Sequence, residues 1–162
     1  MTADFSLRPA VEADLPLVLR FIKELAEYEK LGHQVTATEA GLHKTLFGPD
    51  RVAYAVIAHA GDEPAGFAIY FISFSTFLAK PGLYLEDLYV RPEWRGRGLG
   101  RKLLAHLARI AVDRDFGRME WSVLDWNEMA LRVYRAAGAT PLSEWTVQRL
   151  TGDSLKAMAE TA

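Results

Sequence analysis

The sequence predicts an α/β (α+β) chain with a mixed, mostly antiparallel central sheet flanked by helices and one parallel strand pair. Three observations predict it. From Val52 to Val90, strand-like runs follow one another with only turn residues between them, as in an antiparallel meander. From Leu83 to Leu124, a strand, an amphipathic helix and a second strand follow in order, the pattern of a right-handed parallel crossover. Further segments carry apolar residues at three- and four-residue steps, so each offers the sheet an apolar stripe to cover.

A first strand, Phe5 to Arg8, runs into Pro9, which disfavours helix in the residue before it. Asp14 is the expected N-cap of a helix whose Leu15, Val18, Leu19, Ile22, Leu25 and Ala26 form one stripe. Thr36 and Glu39 have capping-box spacing for a second helix, which carries Leu42 and Leu46 and stops near Gly48 and Pro49. The meander strands are then Val52 to Ala58, Ala65 to Ser75 and Leu83 to Val90, broken by Gly61, Asp62 and Pro64 and by Pro81 and Gly82. The crossover helix runs from about Gly98 to Val112, with Leu99, Leu103, Leu104, Leu107, Ile110 and Ala111 on its apolar face. Arg118 to Leu124 reads as the buried strand it reaches, placing the parallel junction at the centre of the sheet. A shorter helix follows Asn127 and ends near Gly138, and a last strand is expected from Glu144 to Leu150.

Composition narrows the function before any motif does. The 162 residues suit one domain spanning 1–162, with no repeat or linker. With 19 Lys and Arg against 21 Asp and Glu, the net charge of −2 leaves no global field to draw the chain to nucleic acid or an anionic membrane. Cysteine is absent, which excludes a disulfide framework, cysteine-ligated zinc and a thiol nucleophile, and suits a reducing, cytoplasmic setting. Met1 to Arg8 has no signal-peptide pattern, and no run is long and apolar enough to cross a bilayer. His33, His43, His59 and His106 are scattered without metal-ligand spacing, so no metal is expected.

The informative segment is Val90-Arg-Pro-Glu-Trp-Arg95-Gly-Arg-Gly-Leu-Gly100-Arg-Lys, where a strand ends, a glycine-rich turn follows and a helix begins. Such a turn lets backbone amides converge, and the free N–H groups of the helix start add about half a positive charge, making a phosphate cradle. Arg101 stands where both the Walker loop and the dinucleotide fingerprint need glycine, which removes NTPases and Rossmann enzymes. A second constellation lies downstream. Asn127 and Tyr134 are seven residues apart on one helix, so both project from nearly the same face about 10 Å apart and can line one elongated ligand.

Arg95-x-x-Gly98-x-Gly100 at a strand-to-helix junction, followed by Asn127 to Gly138, resembles the GNAT superfamily of N-acetyltransferases. Leu25 to Glu29, Gln34 and Val35, Thr38 and Glu39, Gly66 to Ala68, Tyr84 to Asp87, Trp126 to Glu128, Trp145 and Leu155 to Met158 are similar to its diamine branch, the spermidine/spermine and thialysine acetyltransferases. The resemblance implies a GNAT-like sheet whose parallel strands splay apart, acetyl-CoA as co-substrate, a primary amine of a small cationic molecule as acceptor, and a homodimer. It implies cofactor contacts from Leu88, Tyr89 and Val90, from Arg95, Gly96, Arg97, Gly98, Leu99, Gly100 and Arg101, and from Asn127 and Tyr134. Glu29, Glu86, Asp87 and Trp145 are the residues it places against the acceptor. Some of Arg91, Arg95, Arg97, Arg101 and Lys102 are expected on the CoA phosphates.

An alkyl ammonium has a pKa near ~10.4, so the reactive neutral amine lies roughly 4–5 kcal/mol uphill at neutral pH. Glu86 is the expected proton acceptor, directly or through water, its basicity raised by burial along the strand. Strand alternation puts Asp87 on the opposite side unless a bulge intervenes. Tyr134 is the expected donor to the leaving thiolate, and backbone N–H groups near Leu88 to Val90 are candidates to polarise the acetyl oxygen. Glu24 and Glu27 could join the carboxylates that attract a cationic acceptor, while Tyr28 and Trp145 could cover its alkyl chain. Other amines as acceptor, or a catalytically silent acyl-CoA-binding regulator, are the alternatives.

Overall fold

The computed structural model describes residues 4–162, so the first three residues of the leader reading lie outside it. One five-stranded sheet runs in the order β1-β2-β3-β4-β5: Phe5–Pro9, Tyr54–Ala60, Glu63–Ser75, Lys80–Val90 and Met119–Trp121. The first four strands are antiparallel neighbours, and β4 pairs with β5 in parallel. The helices are α1, Leu15–Tyr28; α2, Glu39–Leu46; α3, Leu99–Asp113; α4, Glu128–Ala136; and α5, Gly152–Ala159.

Alternation along the strands builds two cores. Val56 and Ala58 of β2 pack with Leu99, Leu103, Leu104 and Leu107 of α3 on one face of the sheet. Ala55 and Ile57 point the other way, to Val18, Phe21 and Leu25 of α1 and Leu46 of α2. The stripes that mark α1 and α3 in the sequence are therefore the surfaces that seal the two faces.

Strand β4 breaks this alternation once, and the break positions the site. Leu85 lies opposite Tyr70 and Asp87 opposite Ile69, so Glu86 is an extra residue without a partner on β3. On the near side of the bulge, Leu83 and Leu85 pack toward α3; beyond it, odd-numbered Tyr89 packs toward α1. A single inserted residue has reversed the facing of the strand end. Parallel pairing with β5 also stops at Leu85 and Trp121, so from Glu86 onward no strand among the described residues lies along the β5-facing edge of β4. The Tyr84 and Ser122 hydroxyls, 2.9 Å apart, bridge the strands where they begin to part.

Several expectations are corrected. Strand β5 covers Met119–Trp121 instead of 118–124, because β4 turns away at the bulge and leaves Ser122 to Leu124 unpaired. The parallel junction lies at the edge of the sheet instead of its centre. Residues 144–150 form no strand, and Trp145 and Val147 are each 77% exposed, with no neighbouring strand among the described residues to receive them. Helix α5, which follows them, has no counterpart in the sequence reading. Helix α2 is capped by Thr38, whose Oγ1 accepts from Gly41 N–H at 3.1 Å, so Thr36 and Glu39 form no capping box. Asp14 precedes α1 but does not cap it with its side chain. Its carboxylate instead accepts from both Arg8 guanidinium nitrogens, at 2.6 and 2.9 Å, and this pairing holds its pKa below the usual range.

Candidate active site

A cleft of about 700 Å³ opens where β4 and β5 part, a volume suited to a sizeable organic ligand. Its walls come from the end of α1, the bulged end of β4, the turn before α3, Ser122 to Leu124, and α4. Of the residues singled out in the sequence, Tyr28, Glu29, Glu86, Asp87, Leu88, Tyr89, Val90, Arg95, Gly96, Gly98, Leu99, Gly100, Arg101, Asn127 and Tyr134 all line it. Arg97 and Trp145 do not. The Arg97 guanidinium lies over the Trp94 ring at 5.1 Å, and Trp145 stands exposed on the segment before α5.

The turn before α3 has the geometry of an anion cradle. Gly96 and Gly98 have φ of 72° and 85°, a left-handed conformation that side-chain-bearing residues rarely adopt. A Cβ at either would meet no atom within 4 Å, so the space above both is open to a ligand. The N–H groups from Gly96 to Arg101 have no backbone partner among the described residues, and Lys102 is the first to donate into the helix, to Gly98 O at 3.0 Å. These donors sit at the positive end of a 15-residue helix, which favours a phosphate group.

The basic side chains around the cradle divide by partner. Arg91 lies 3.8 Å from Glu24 and 3.4 Å from Glu93, and Lys102 donates to Phe5 O of β1. Arg95 donates from Nε to Val90 O at 2.9 Å and stacks over Tyr28 at 4.6 Å. Arg101 makes no ion pair or ring contact among the described residues, which leaves it available to a phosphate. Glu24 also accepts from the Tyr89 hydroxyl at 3.0 Å, so it is committed within the fold, and Glu27 lies outside the cleft.

The acceptor end is acidic. Glu29, Glu86 and Asp87 converge on the cleft, and none has an ion-pair partner among the described residues. The bulge decides their environments. Glu86 is exposed, so the burial expected for it falls instead on its neighbour. Burial, reinforced by Glu86 and Glu29, pushes the Asp87 carboxyl up to about 6, and burial also raises Glu29. Three uncompensated carboxylates, one of them costly to ionise, suit a ligand that brings its own positive charge.

Helix α4 brings Asn127 and Tyr134 to the same cleft. Asn127 caps the helix through Oδ1, which accepts from Ala130 N–H at 3.2 Å. Tyr134 packs edge-on against Trp121 at 5.1 Å, and burial, aided by Glu29 and Tyr28, raises its phenol pKa above the ordinary value. The group therefore keeps its proton at neutral pH. Leu25, Trp94, Ser122, Val123, Leu124, Met129, Ala130 and Val133 also line the cleft, though none was a candidate site residue in the sequence. Ala130 and Val133 were accessible to the same helical-face argument as Asn127 and Tyr134; the strand-end residues depend on where β5 stops.

A cleft lined by main-chain donors, polar groups of a helix and unpaired carboxylates fits a phosphate-bearing cofactor arm aimed at an amine. No cluster of three or more potential metal ligands occurs among the described residues, and no helix among them is long and apolar enough to cross a membrane.

Comparison with known proteins agrees with this geometry. Residues 19–139 match the model of the acetyltransferase (GNAT) family. A thialysine N-epsilon-acetyltransferase of Bos taurus is 38% identical over 94% of this chain and 96% of its own. An L-ornithine N5-acetyltransferase of Arabidopsis thaliana is 32% identical, covering 94% and 86% of the two chains. Among solved structures, an integron cassette protein from the mobile metagenome of V. cholerae superposes with a TM-score of 0.79 at 30% identity, over 99% of both chains.

Proposed function

The chain belongs to the acetyltransferase (GNAT) family, and from that premise we propose that this acetyl-CoA-dependent N-acetyltransferase transfers acetyl directly to a primary amine of a small cationic molecule, such as a polyamine or a thialysine-like amino acid. The observation that carries the acceptor class is the group of carboxylates lining the cleft, Glu29, Glu86 and Asp87, none of which has an ion-pair partner among the described residues. Relatives named for thialysine, ornithine and spermidine/spermine acetylation support the same class.

The residues divide the work by position. Main-chain N–H groups from Gly96 to Arg101, with the Arg101 side chain, hold the diphosphate, and Asn127 meets the pantetheine arm. Leu88, Tyr89 and Val90 lie along β4 beyond its pairing with β5, where free main-chain groups serve the arm and polarise the acetyl oxygen. Acetyl-CoA supplies the activated acyl group and a thiolate leaving group. Glu86, exposed at the bulge, takes the ammonium proton directly or through water, while Asp87 and Glu29 hold the positive acceptor. As the nitrogen–carbon bond forms and the carbon–sulfur bond breaks, the Tyr134 phenol gives its proton to sulfur and regains one from the amine's proton by way of solvent. Absence of cysteine agrees with transfer in one step, without an acetylated thiol on the enzyme.

A panel of amines assayed by CoA release, with product masses, tests the reading. Polyamines, thialysine-like amino acids or ornithine should gain one acetyl per CoA released. Turnover confined to protein amines or neutral amines would overturn the acceptor class, and CoA binding without transfer to any amine would favour a silent regulator.

We read residues 1–162 as one domain working in a reducing, cytoplasmic setting, and as a homodimer. Support for the dimer comes from the short edge strand β5 and from exposed apolar residues along the C-terminal segment, Leu142, Trp145, Val147, Leu150, Leu155 and Met158. Light scattering should return twice the 18.1 kDa chain mass; the mass of one chain would contradict it.

A further inference from the structure

Tyr28 is tied to the cofactor half of the cleft at three points. Its hydroxyl donates to Asn127 Oδ1 at 3.2 Å, joining α1 to α4 across 99 positions of sequence. Its ring carries the Arg95 guanidinium at 4.6 Å, and Arg95 in turn donates to Val90 O at the end of β4. Its ring also lies 6.1 Å from that of Trp126, the residue before Asn127. A residue placed only to cover an acceptor would not need a hydroxyl bonded to the N-terminus of α4.

The bond to Asn127 has a directional consequence. An amide oxygen offers two lone pairs, and here Ala130 N–H and Tyr28 O–H use both. The oxygen is thereby fully engaged, and the amide must present its N–H2 group, a donor, to the cleft. A swing of the amide would break two hydrogen bonds, and a flip would set the N–H2 group against the Ala130 N–H. Pantetheine carries two amide carbonyls, acceptors that match such a donor.

We propose that Tyr28 is a positioning residue for the cofactor: its hydroxyl locks the Asn127 side chain so that it donates to the pantetheine arm. This rests on the reading above that Asn127 meets that arm. The hydroxyl acts through Asn127, so its effect should appear on ligands that carry the arm and be absent on the nucleotide half of CoA.

Three proteins and two ligands test it by calorimetry: wild type, Tyr28→Phe and Asn127→Asp, each titrated with CoA and with the adenosine bisphosphate that lacks the arm. Phenylalanine keeps the ring contacts to Arg95 and Trp126 and removes one hydrogen bond, so CoA affinity should fall about fivefold, with nucleotide affinity unchanged. Aspartate keeps an acceptor oxygen for both Ala130 and Tyr28 but replaces the donor by a negatively charged oxygen facing the arm's carbonyls, so CoA affinity should fall at least about tenfold, again with the nucleotide unaffected. Adding Tyr28→Phe to Asn127→Asp should then cost no further CoA affinity. Native CoA affinity in Asn127→Asp would overturn the placement of Asn127 on the arm, and the proposal with it. A loss in Asn127→Asp alongside native CoA affinity in Tyr28→Phe, with only the acceptor KM raised, would overturn the proposal and leave the placement intact. Equal loss of CoA and nucleotide in Tyr28→Phe would also overturn it, assigning the hydroxyl to general support of the cleft.

Discussion

Replacing Tyr134 by Phe should lower kcat by about 10²–10³-fold while changing CoA affinity less than about threefold. The phenol is half-buried against Trp121, and its raised pKa keeps it protonated at neutral pH, the state needed to donate to a departing thiolate. Phenylalanine retains the ring, the edge-on contact with Trp121 and the helix, so the loss should fall on the chemical step. Thiolate analogues of CoA with better leaving groups should recover part of the lost rate, because they need the proton less. Equal loss of binding and turnover would assign Tyr134 to packing instead of proton transfer.

Asp87→Asn should make the protein more stable and a poorer enzyme. The folded-state pKa of about 6 lies above the ordinary carboxyl value of 3.8, so the folded protein binds this proton more tightly than the unfolded chain does. Ionised Asp87 therefore costs stability above about pH 6, and the cost disappears as pH falls from about 6 toward 4. Asparagine, which cannot ionise, should gain on the order of 2–3 kcal/mol at pH 8 and almost nothing at pH 4, as measured by urea unfolding at both values. The same substitution removes a charge from the acceptor end, so the dissociation constant of a diamine for the CoA complex should rise about tenfold at neutral pH. In the wild type that constant should climb as pH drops through about 6, and the variant should lose most of the slope. Unchanged stability at pH 8, or unchanged diamine affinity, would contradict the view that this carboxylate is retained for binding at the expense of the fold.

The sheet was legible where periodicity alone determines structure. The meander from β2 to β4, the crossover through α3, and the stripes of α1 and α3 all follow from apolar spacing, which tertiary contacts reinforce instead of overriding. The bulge at Glu86 leaves no such trace. One extra residue inside a continuous strand run moves Tyr89 to the opposite core and ends the pairing with β5 early, so Asp87 is half-buried and Glu86 exposed. Alternation at Trp145 to Leu150 reads as a strand, but a strand forms only where a ladder can receive it, and these residues have none within the described chain. In the site, the spacing of Asn127 and Tyr134 and the glycines before α3 were readable because both are local. The bond from Tyr28 to Asn127 was not, because it joins segments that only the folded sheet brings together.

Cofactor binding depends on the cradle before α3, and calorimetric titration of CoA into the wild type and into Gly98→Val tests this most directly. Valine at a φ of 85° strains the turn and fills the open approach above it. Saturable binding of one CoA per chain, weakened at least about tenfold in the folded variant, is the expected result. No binding to the wild type, or equal affinity in the two proteins, would contradict the account.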